Sequence, residues 1–175
     1  MDNDLKDKED ALEKEISEER GKLSTDRMDI SFGELINLYK NGELIIRPEY
    51  QRLFRWTSKQ KTALIESILL SIPIPPIFVA EDKEGIWELV DGLQRVATFI
   101  SFFGEFDSTT ENRWKLEAGG LIKNLNGFDI DTLPSKYKIS LKRAVCRVEI
   151  IRVSSNIRIK DELFARYKTD NDVNK

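Results

Sequence analysis

The sequence contains no histidine and only one cysteine, Cys146. Without histidine, the chain cannot supply a Ser-His-Asp triad, an HNH-type nuclease site, a histidine-based zinc site or a histidine general base. A lone cysteine allows neither an internal disulfide nor a cysteine-rich metal site, and this usage is typical of reducing intracellular compartments. These absences exclude several large classes of hydrolase and nuclease chemistry.

Long apolar runs are also absent. No segment reaches the run of about 18 apolar residues that a membrane span requires, and the acidic N-terminus does not resemble a signal peptide. We therefore expect a cytoplasmic protein that makes no membrane contact.

Charge is concentrated at the N-terminus. Of the 175 residues, 1–27 include ten acidic and six basic ones, whereas 28–175 include 21 acidic and 22 basic ones. The nearly neutral body argues against a DNA-wrapping surface, although it permits a local basic site. We expect a charged helical arm over 1–27 and one folded domain over 28–175, which is an ordinary length for a single domain.

A narrow apolar stripe runs along this arm. Its large apolar residues fall close to one line on a helix: Leu5, Leu12, Ile16 and Leu23. The arm is either solvated and loosely attached to the body, or it binds a partner or a second copy of the chain.

The patterns of the folded domain predict a mixture of helices and strands. Capping boxes begin a helix over 31–40 and a second helix that runs from Thr57 until Pro73. Two β-rich runs around a short polar loop predict a hairpin. The other elements expected are a helix over 94–103, a strand at 113–116, a helix over 135–142, a central strand at 145–153 and a final helix over 159–168.

The first motif that could carry chemistry follows the hairpin, at Asp91-Gly92-Leu93-Gln94-Arg95. Glycine at a strand-to-helix turn lets the backbone approach a ligand closely, and a helix N-terminus suits phosphate. A cation such as Arg95 in the first turn opposes the helix dipole, which hints at a bound anion. The alternative interpretation is structural: Asp91 is the N-cap, Gly92 forms a tight turn and Arg95 is solvated.

The second motif is the loop from Tyr50 to Trp56, in which Arg52 and Arg55 stand beside aromatic rings. Arginines in such a setting can bind phosphate or stack on a base. Alternatively, Phe54 and Trp56 anchor the loop to the core while the arginines face water. Neither a P-loop nor a G-x-G-x-x-G fingerprint is present, so a conventional P-loop or Rossmann site is excluded.

Three segments in this order resemble the N-terminal domain of GmrSD-type restriction endonucleases. They are Tyr50-Gln51-Arg52 with Trp56, the run from Leu64 to Phe78, and Asp91-Gly92-Leu93-Gln94-Arg95. The resemblance covers nearly all of 28–170, and it implies an α+β fold of the ParB/sulfiredoxin-like type, with a small mixed sheet and surrounding helices.

The resemblance implies a domain that binds and hydrolyses a nucleoside triphosphate, usually with Mg²⁺, and thereby controls a DNA-cleaving module in bacterial defence against phage. Such a nuclease module, commonly of the HNH type, must contain histidine, so it lies outside this chain, in cis or in trans. We therefore expect nucleotide and the nuclease as direct partners and DNA as an indirect one.

Residue roles follow from the match. The phosphate-binding set consists of Arg52, Arg55, Asp91, Gly92, Gln94 and Arg95. Within it, Arg52 and Arg95 are expected to clamp phosphate, and Asp91 to hold the metal or orient a water. Gln51 or Gln94 would position the attacking water.

Two departures from the family pattern leave the activity open. Leu93 and Lys168 stand where the family has glutamine and asparagine. Leucine removes one polar contact from the expected site, and lysine replaces the amide of another. The alternative functions are therefore a nucleotide sensor without hydrolysis and a ParB-like DNA-binding adaptor. Sulfiredoxin-like chemistry would need a reactive cysteine, and Cys146, in an apolar strand, does not provide one.

Overall fold

The described residues build one mixed sheet from five strands. The structure is a computed structural model that describes residues 2–47, 54–106, 112–153, 161–162 and 165–166. Its elements in chain order are α1 (Asp2–Arg20), β1 (Leu23–Ser31), α2 (Phe32–Lys40), β2 (Leu44–Ile45), α3 (Ser58–Leu69), β3 (Ile77–Glu81), β4 (Trp87–Asp91), α4 (Leu93–Phe102), a 3-10 turn (Lys123–Leu125), α5 (Ser135–Arg143) and β5 (Val145–Val153). The predicted α+β class is confirmed. The predicted helix over 159–168 lies largely outside the described residues.

The strands are ordered β1-β5-β3-β4-β2. β5 pairs antiparallel with β1 and parallel with β3, so it occupies the interior position predicted from its sequence. β3 and β4 form the predicted antiparallel hairpin, and the short strand β2 joins β4 in parallel. Cys146, Val148 and Ile150 are buried at alternating positions of β5, as expected for one core-facing side of a strand.

Helix α4 lies in the centre of the core. Every residue from Val96 to Phe102 is buried, and the ring of Phe99 stacks on that of Phe32 in α2 with centroids 4.2 Å apart. Only the first turn of α4, residues 93–95, is partly accessible. The polar residues of this helix that can reach a ligand are therefore concentrated at its N-terminus.

Both predicted capping sites are confirmed. Ser31 Oγ accepts a hydrogen bond from the Glu34 N–H at 3.1 Å. At α3, Thr57 Oγ1 accepts from the Gln60 N–H while Gln60 Oε1 accepts from the Thr57 N–H, at 3.3 and 2.9 Å. Such reciprocal bonds satisfy N–H groups that the first helical turn leaves without partners.

The end of α3 was predicted wrongly at Pro73, because the helix already ends at Leu69. Ser71 adopts a left-handed conformation with φ of 56°. The Ile72 N–H then bonds to the Ser67 carbonyl and the Ser71 N–H to the Ile68 carbonyl, at 2.8 and 3.1 Å. This pattern is a Schellman motif, which terminates a helix without needing proline.

The strand predicted at 113–116 is absent. Leu116 instead exchanges two backbone hydrogen bonds with 127–128, at 2.7 and 2.8 Å, and Arg113 has a positive φ of 56°. Two isolated bonds beside a left-handed residue do not continue into a ladder. The apolar residues there, Trp114 and Leu116, are buried within an irregular segment.

The N-terminal helix is shorter than its apolar stripe suggested. It ends at Arg20, and Leu23 begins β1, where it pairs with Val153. Leu23 therefore belongs to the sheet and not to the helical stripe, and residues 23–27 lie in the first strand. No helix in the described ranges is both long enough and apolar enough to cross a bilayer.

A buried carboxylate of α3 holds an irregular segment against the helix. Glu66 is 6% exposed, and its oxygens accept hydrogen bonds from the N–H groups of Gly120, Leu121 and Ile122 at 3.1, 2.8 and 2.6 Å. These bonds, above all that from Ile122, hold the pKa of Glu66 below its ordinary range, because they favour the charged form.

We expect Glu66→Gln to destabilise the domain at neutral pH by about 2 kcal/mol or more, since an amide cannot accept all three bonds. Because the folded-state pKa is lowered, the contribution of the carboxylate is complete above the ordinary glutamate pKa of about 4.3, and it is lost as the pH falls through the folded-state value. Urea denaturation should therefore show the difference between wild type and variant shrinking in acid. Glu117→Gln, at an exposed position, removes the same charge as a control, and an equal loss in both variants would contradict this role.

Candidate functional site

The turn between β4 and α4 has a conformation that favours glycine. Gly92 is the N-cap of α4 and has φ of 98° and ψ of 14°. A Cβ atom added to it would lie 2.7 Å from Ile77 Cγ2, which is far too close for two carbon atoms. The backbone of the turn therefore packs directly on the start of β3.

The N-terminus of α4 carries no side-chain cap. Its first helical hydrogen bond runs from the Val96 N–H to the Gly92 carbonyl at 3.0 Å. The N–H groups in the first turn of a helix have no partner within the helix, and they carry partial positive charge. An anion is a fitting ligand at such a position.

Arg95 stabilises this turn through two side-chain hydrogen bonds. Its Nη2 donates to the Pro76 carbonyl at 3.0 Å and to Asp91 Oδ2 at 3.4 Å. The side chain is 18% exposed, and its buried Nε has no hydrogen-bond partner within the described part of the chain. The structural alternative weighed above is therefore wrong in two details: Arg95 is not solvated, and the N-cap is Gly92 and not Asp91.

Gln94 connects α4 to the arginine loop. Its Oε1 accepts hydrogen bonds from the N–H groups of Arg55 and Trp56, at 3.1 and 3.2 Å. The Arg55 side chain itself is exposed. The amide of Gln94 thus holds the backbone of Arg55 and Trp56 beside the first turn of α4.

The aromatic residues of the loop behave as anchors. Phe54 and Trp56 are partly buried against the core, and the Phe54 ring meets the Phe106 ring edge-on with centroids 6.2 Å apart. This confirms the anchoring interpretation for the two rings and leaves Arg55 on the surface. Gln51 and Arg52 lie outside the described residues, as does Lys168.

Sequence reasoning missed an ion pair that involves Arg47, which precedes this loop in the chain. Glu88, the second residue of β4, is 8% exposed, and its carboxylate pairs with the guanidinium of Arg47. The signal was a charged residue inside an otherwise apolar strand, since a buried carboxylate needs a partner. Arg47 is thus fixed to the strand that ends at Asp91, and Arg55 to the helix that starts after it.

Asp91 is the only predicted metal ligand. Among the described residues there is no group of three or more acidic, cysteine or histidine side chains that could hold a metal ion. A single carboxylate nevertheless fits Mg²⁺ when phosphate oxygens and waters complete the octahedron. The side chain of Asp91 is 22% exposed and lies 3.4 Å from Arg95 Nη2.

Cys146 has no part in the site. It is 2% exposed within β5, and burial raises the pKa of its thiol to about 12. The thiolate is the nucleophilic form of cysteine. A thiol in this state matches the inert core residue that the sequence predicted.

Comparison with known families gives a match. The family model described as the N-terminal domain of the GmrSD restriction endonuclease matches residues 32–174. The matched range begins at α2, includes the Asp91-Gly92 turn and leaves out α1 and β1. Searches of curated proteins and of solved structures found no match, so the ParB/sulfiredoxin relationship stays a prediction.

We expect Gly92→Ala to destabilise the domain by about 2–4 kcal/mol, because a left-handed φ costs 1–2 kcal/mol and overpacking adds to it. Gly85→Ala is the matched control, since Gly85 has φ of 82° but nothing within 4 Å of an added Cβ. Urea denaturation should show the larger loss at position 92. Equal losses at the two positions would mean that contact with Ile77 does not restrict the turn.

Proposed function

Since the chain belongs to the family of GmrSD restriction endonuclease N-terminal domains, we propose that it binds a nucleoside triphosphate at the N-terminus of α4 and so regulates DNA cleavage. As a component of a restriction or defence system, it acts on a nuclease module, in cis or in trans. With no histidine in the sequence, the chain cannot form an HNH site. DNA is therefore the target of the partner.

One observation carries this proposal: an uncapped helix N-terminus that begins at Gly92 directly after a strand. Because Gly92 can adopt a φ of 98°, the chain turns directly from β4 into α4, and the first N–H groups of the helix follow immediately after Asp91. These N–H groups and the helix dipole stabilise the negative charge of phosphate. Because α4 is anchored in the core, these donors are held in place before the ligand arrives.

Arginine supplies the remaining charge. Arg55, whose backbone N–H is bonded to Gln94 and whose side chain is exposed, would contact phosphate together with Arg52. Arg95 acts differently, since its Nη2 is already bonded to Pro76 and Asp91. Arg95 stabilises the conformation of the turn and adds positive charge near the bound phosphates.

Magnesium fits this arrangement. Asp91 would hold the ion together with phosphate oxygens, and the bound ion would neutralise part of the charge on the triphosphate. The Asp91–Arg95 contact of 3.4 Å orients the carboxylate at the end of β4. The carboxylate thereby stands directly beside the turn that would bind phosphate.

We expect calorimetry with the common triphosphates and Mg²⁺ to show binding. Arg52→Ala and Arg55→Ala should each weaken it about tenfold to a hundredfold, the equivalent of 1.5–3 kcal/mol for a charge-assisted hydrogen bond. Arg27→Ala is the matched control, because Arg27 is an exposed arginine on β1. Absence of heat from every triphosphate, with the fold confirmed by circular dichroism, would refute the proposal.

A nucleotide sensor without hydrolysis is the second candidate, and Gln94 favours it. The side-chain oxygen that could orient an attacking water already accepts two backbone N–H groups. Leu93 and Lys168 add two departures from the family pattern. In this second candidate function, the triphosphate binds and is not hydrolysed, and occupancy of the site alone signals to the nuclease.

Phosphate release separates the two candidates. A hydrolase should release phosphate and lose that activity in Asp91→Ala without unfolding. A sensor should bind nucleotide and leave it intact, and Leu93→Gln combined with Lys168→Asn should then introduce turnover. In either case, Gln94→Ala should raise the Kd for nucleotide, since the backbone of Arg55 loses its anchor. An unchanged Kd would show that this contact does not support binding.

A further inference from the structure

Two exposed helices of this chain carry opposite charge. α1 contains nine acidic and four basic residues, whereas α5 contains four basic residues and no acidic one. Both helices also expose large aliphatic side chains to solvent. Charge and apolar surface together indicate a protein interface on each helix, because a purely solvated face has no need of the apolar residues.

The exposed surface of α1 is a stripe with acidic borders. Leu5, Leu12 and Ile16 are 61%, 56% and 43% exposed. At 100° per residue these three positions lie within about 40° of one another on the helix surface, and Glu9 and Glu19 flank them. No side chain in the described part of this chain covers the stripe.

The exposed surface of α5 has the complementary pattern. Leu141 is its single buried residue. Lys136, Ile139 and Arg143 follow one another at three- and four-residue spacing on the outward side, and Ile139 is 48% exposed. Within the described residues, none of the four cations of α5 forms an ion pair with a carboxylate.

The two helices attach to opposite ends of the β1–β5 ladder. α1 leads into Leu23, which pairs with Val153, whereas α5 leads into Val145, which pairs with Ser31. The ladder contains nine residue pairs, so its two ends lie about 26 Å apart along the strands. This placement allows the arm of one molecule to reach the α5 of another.

We propose that α1 of one copy docks on α5 of a second copy. The aliphatic stripe covers Ile139, and the bordering glutamates face Lys136 and Arg143. Each copy offers one surface of each kind, so two copies can exchange arms around a two-fold axis and use both surfaces at once. DNA would neutralise α5 but would leave the stripe of α1 uncovered, and for this reason a second copy is the better partner. The proposal is independent of nucleotide binding.

Charge exchange provides the test. The Lys136→Glu/Arg143→Glu variant has acidic residues beside the apolar surface of both helices, and the Glu9→Lys/Glu19→Lys variant has basic residues beside both. Each variant alone should remain monomeric in sedimentation equilibrium at concentrations where the wild type forms dimers. An equimolar mixture should restore a dimer, because both contacts are then complementary again.

Apolar substitutions and salt complete the design. Leu12→Gln should weaken wild-type dimerisation at least tenfold, whereas Ala11→Gln, on the other side of α1, should leave it unchanged. Higher salt should weaken it as well, since the charges at the interface are exposed. A monomeric wild type at millimolar concentration, a dimer that survives both charge variants, or a mixture that stays monomeric would each overturn the proposal. Loss of DNA binding in a monomeric Lys136→Glu/Arg143→Glu variant would instead identify α5 as a nucleic-acid surface.

Discussion

Helix α4 is buried along its length from Val96 onwards, and the candidate site depends on this burial. A helix packed on every side cannot rotate or shift without disturbing the core, because protein interiors are close-packed. Its first turn is the only part that reaches the surface. The Gly92 turn, the amide of Gln94 and the guanidinium of Arg95 are therefore held by the hydrophobic core itself.

The polar residues around the N-terminus of α4 hold the neighbouring segments together before any ligand binds. Gln94 fixes the backbone of Arg55 and Trp56, Arg95 joins Pro76 to Asp91, and Arg47 pairs with the buried carboxylate of Glu88 in β4. Removing one partner of such a pair costs stability. These bonds therefore keep the elements around the turn in fixed relative positions, which reduces the entropy that a ligand must lose on binding.

Most regular elements could be predicted because their signals are local. The capping boxes at Ser31 and Thr57, the hairpin of β3 and β4 and the apolar run of β5 depend on neighbouring residues along the chain. The errors arose where local signals were incomplete. Ser71 ends α3 by adopting a left-handed conformation that no local sequence pattern predicts. The segment at Trp114 is apolar because its side chains are buried in the core and not because it forms a strand.

The sequence by itself determined the family, the exclusion of histidine and cysteine-cluster chemistry, and the presence of glycine between β4 and α4. Those properties reside in residue identity and short-range spacing, which the chain carries whether or not it is folded. Only the tertiary structure decided the partners of Gln94, Arg95 and Glu66, since each lies at least 19 residues away from a residue that it bonds. Long-range hydrogen bonds of this kind are chosen by how helices and strands pack, and packing depends on the shape of the whole core.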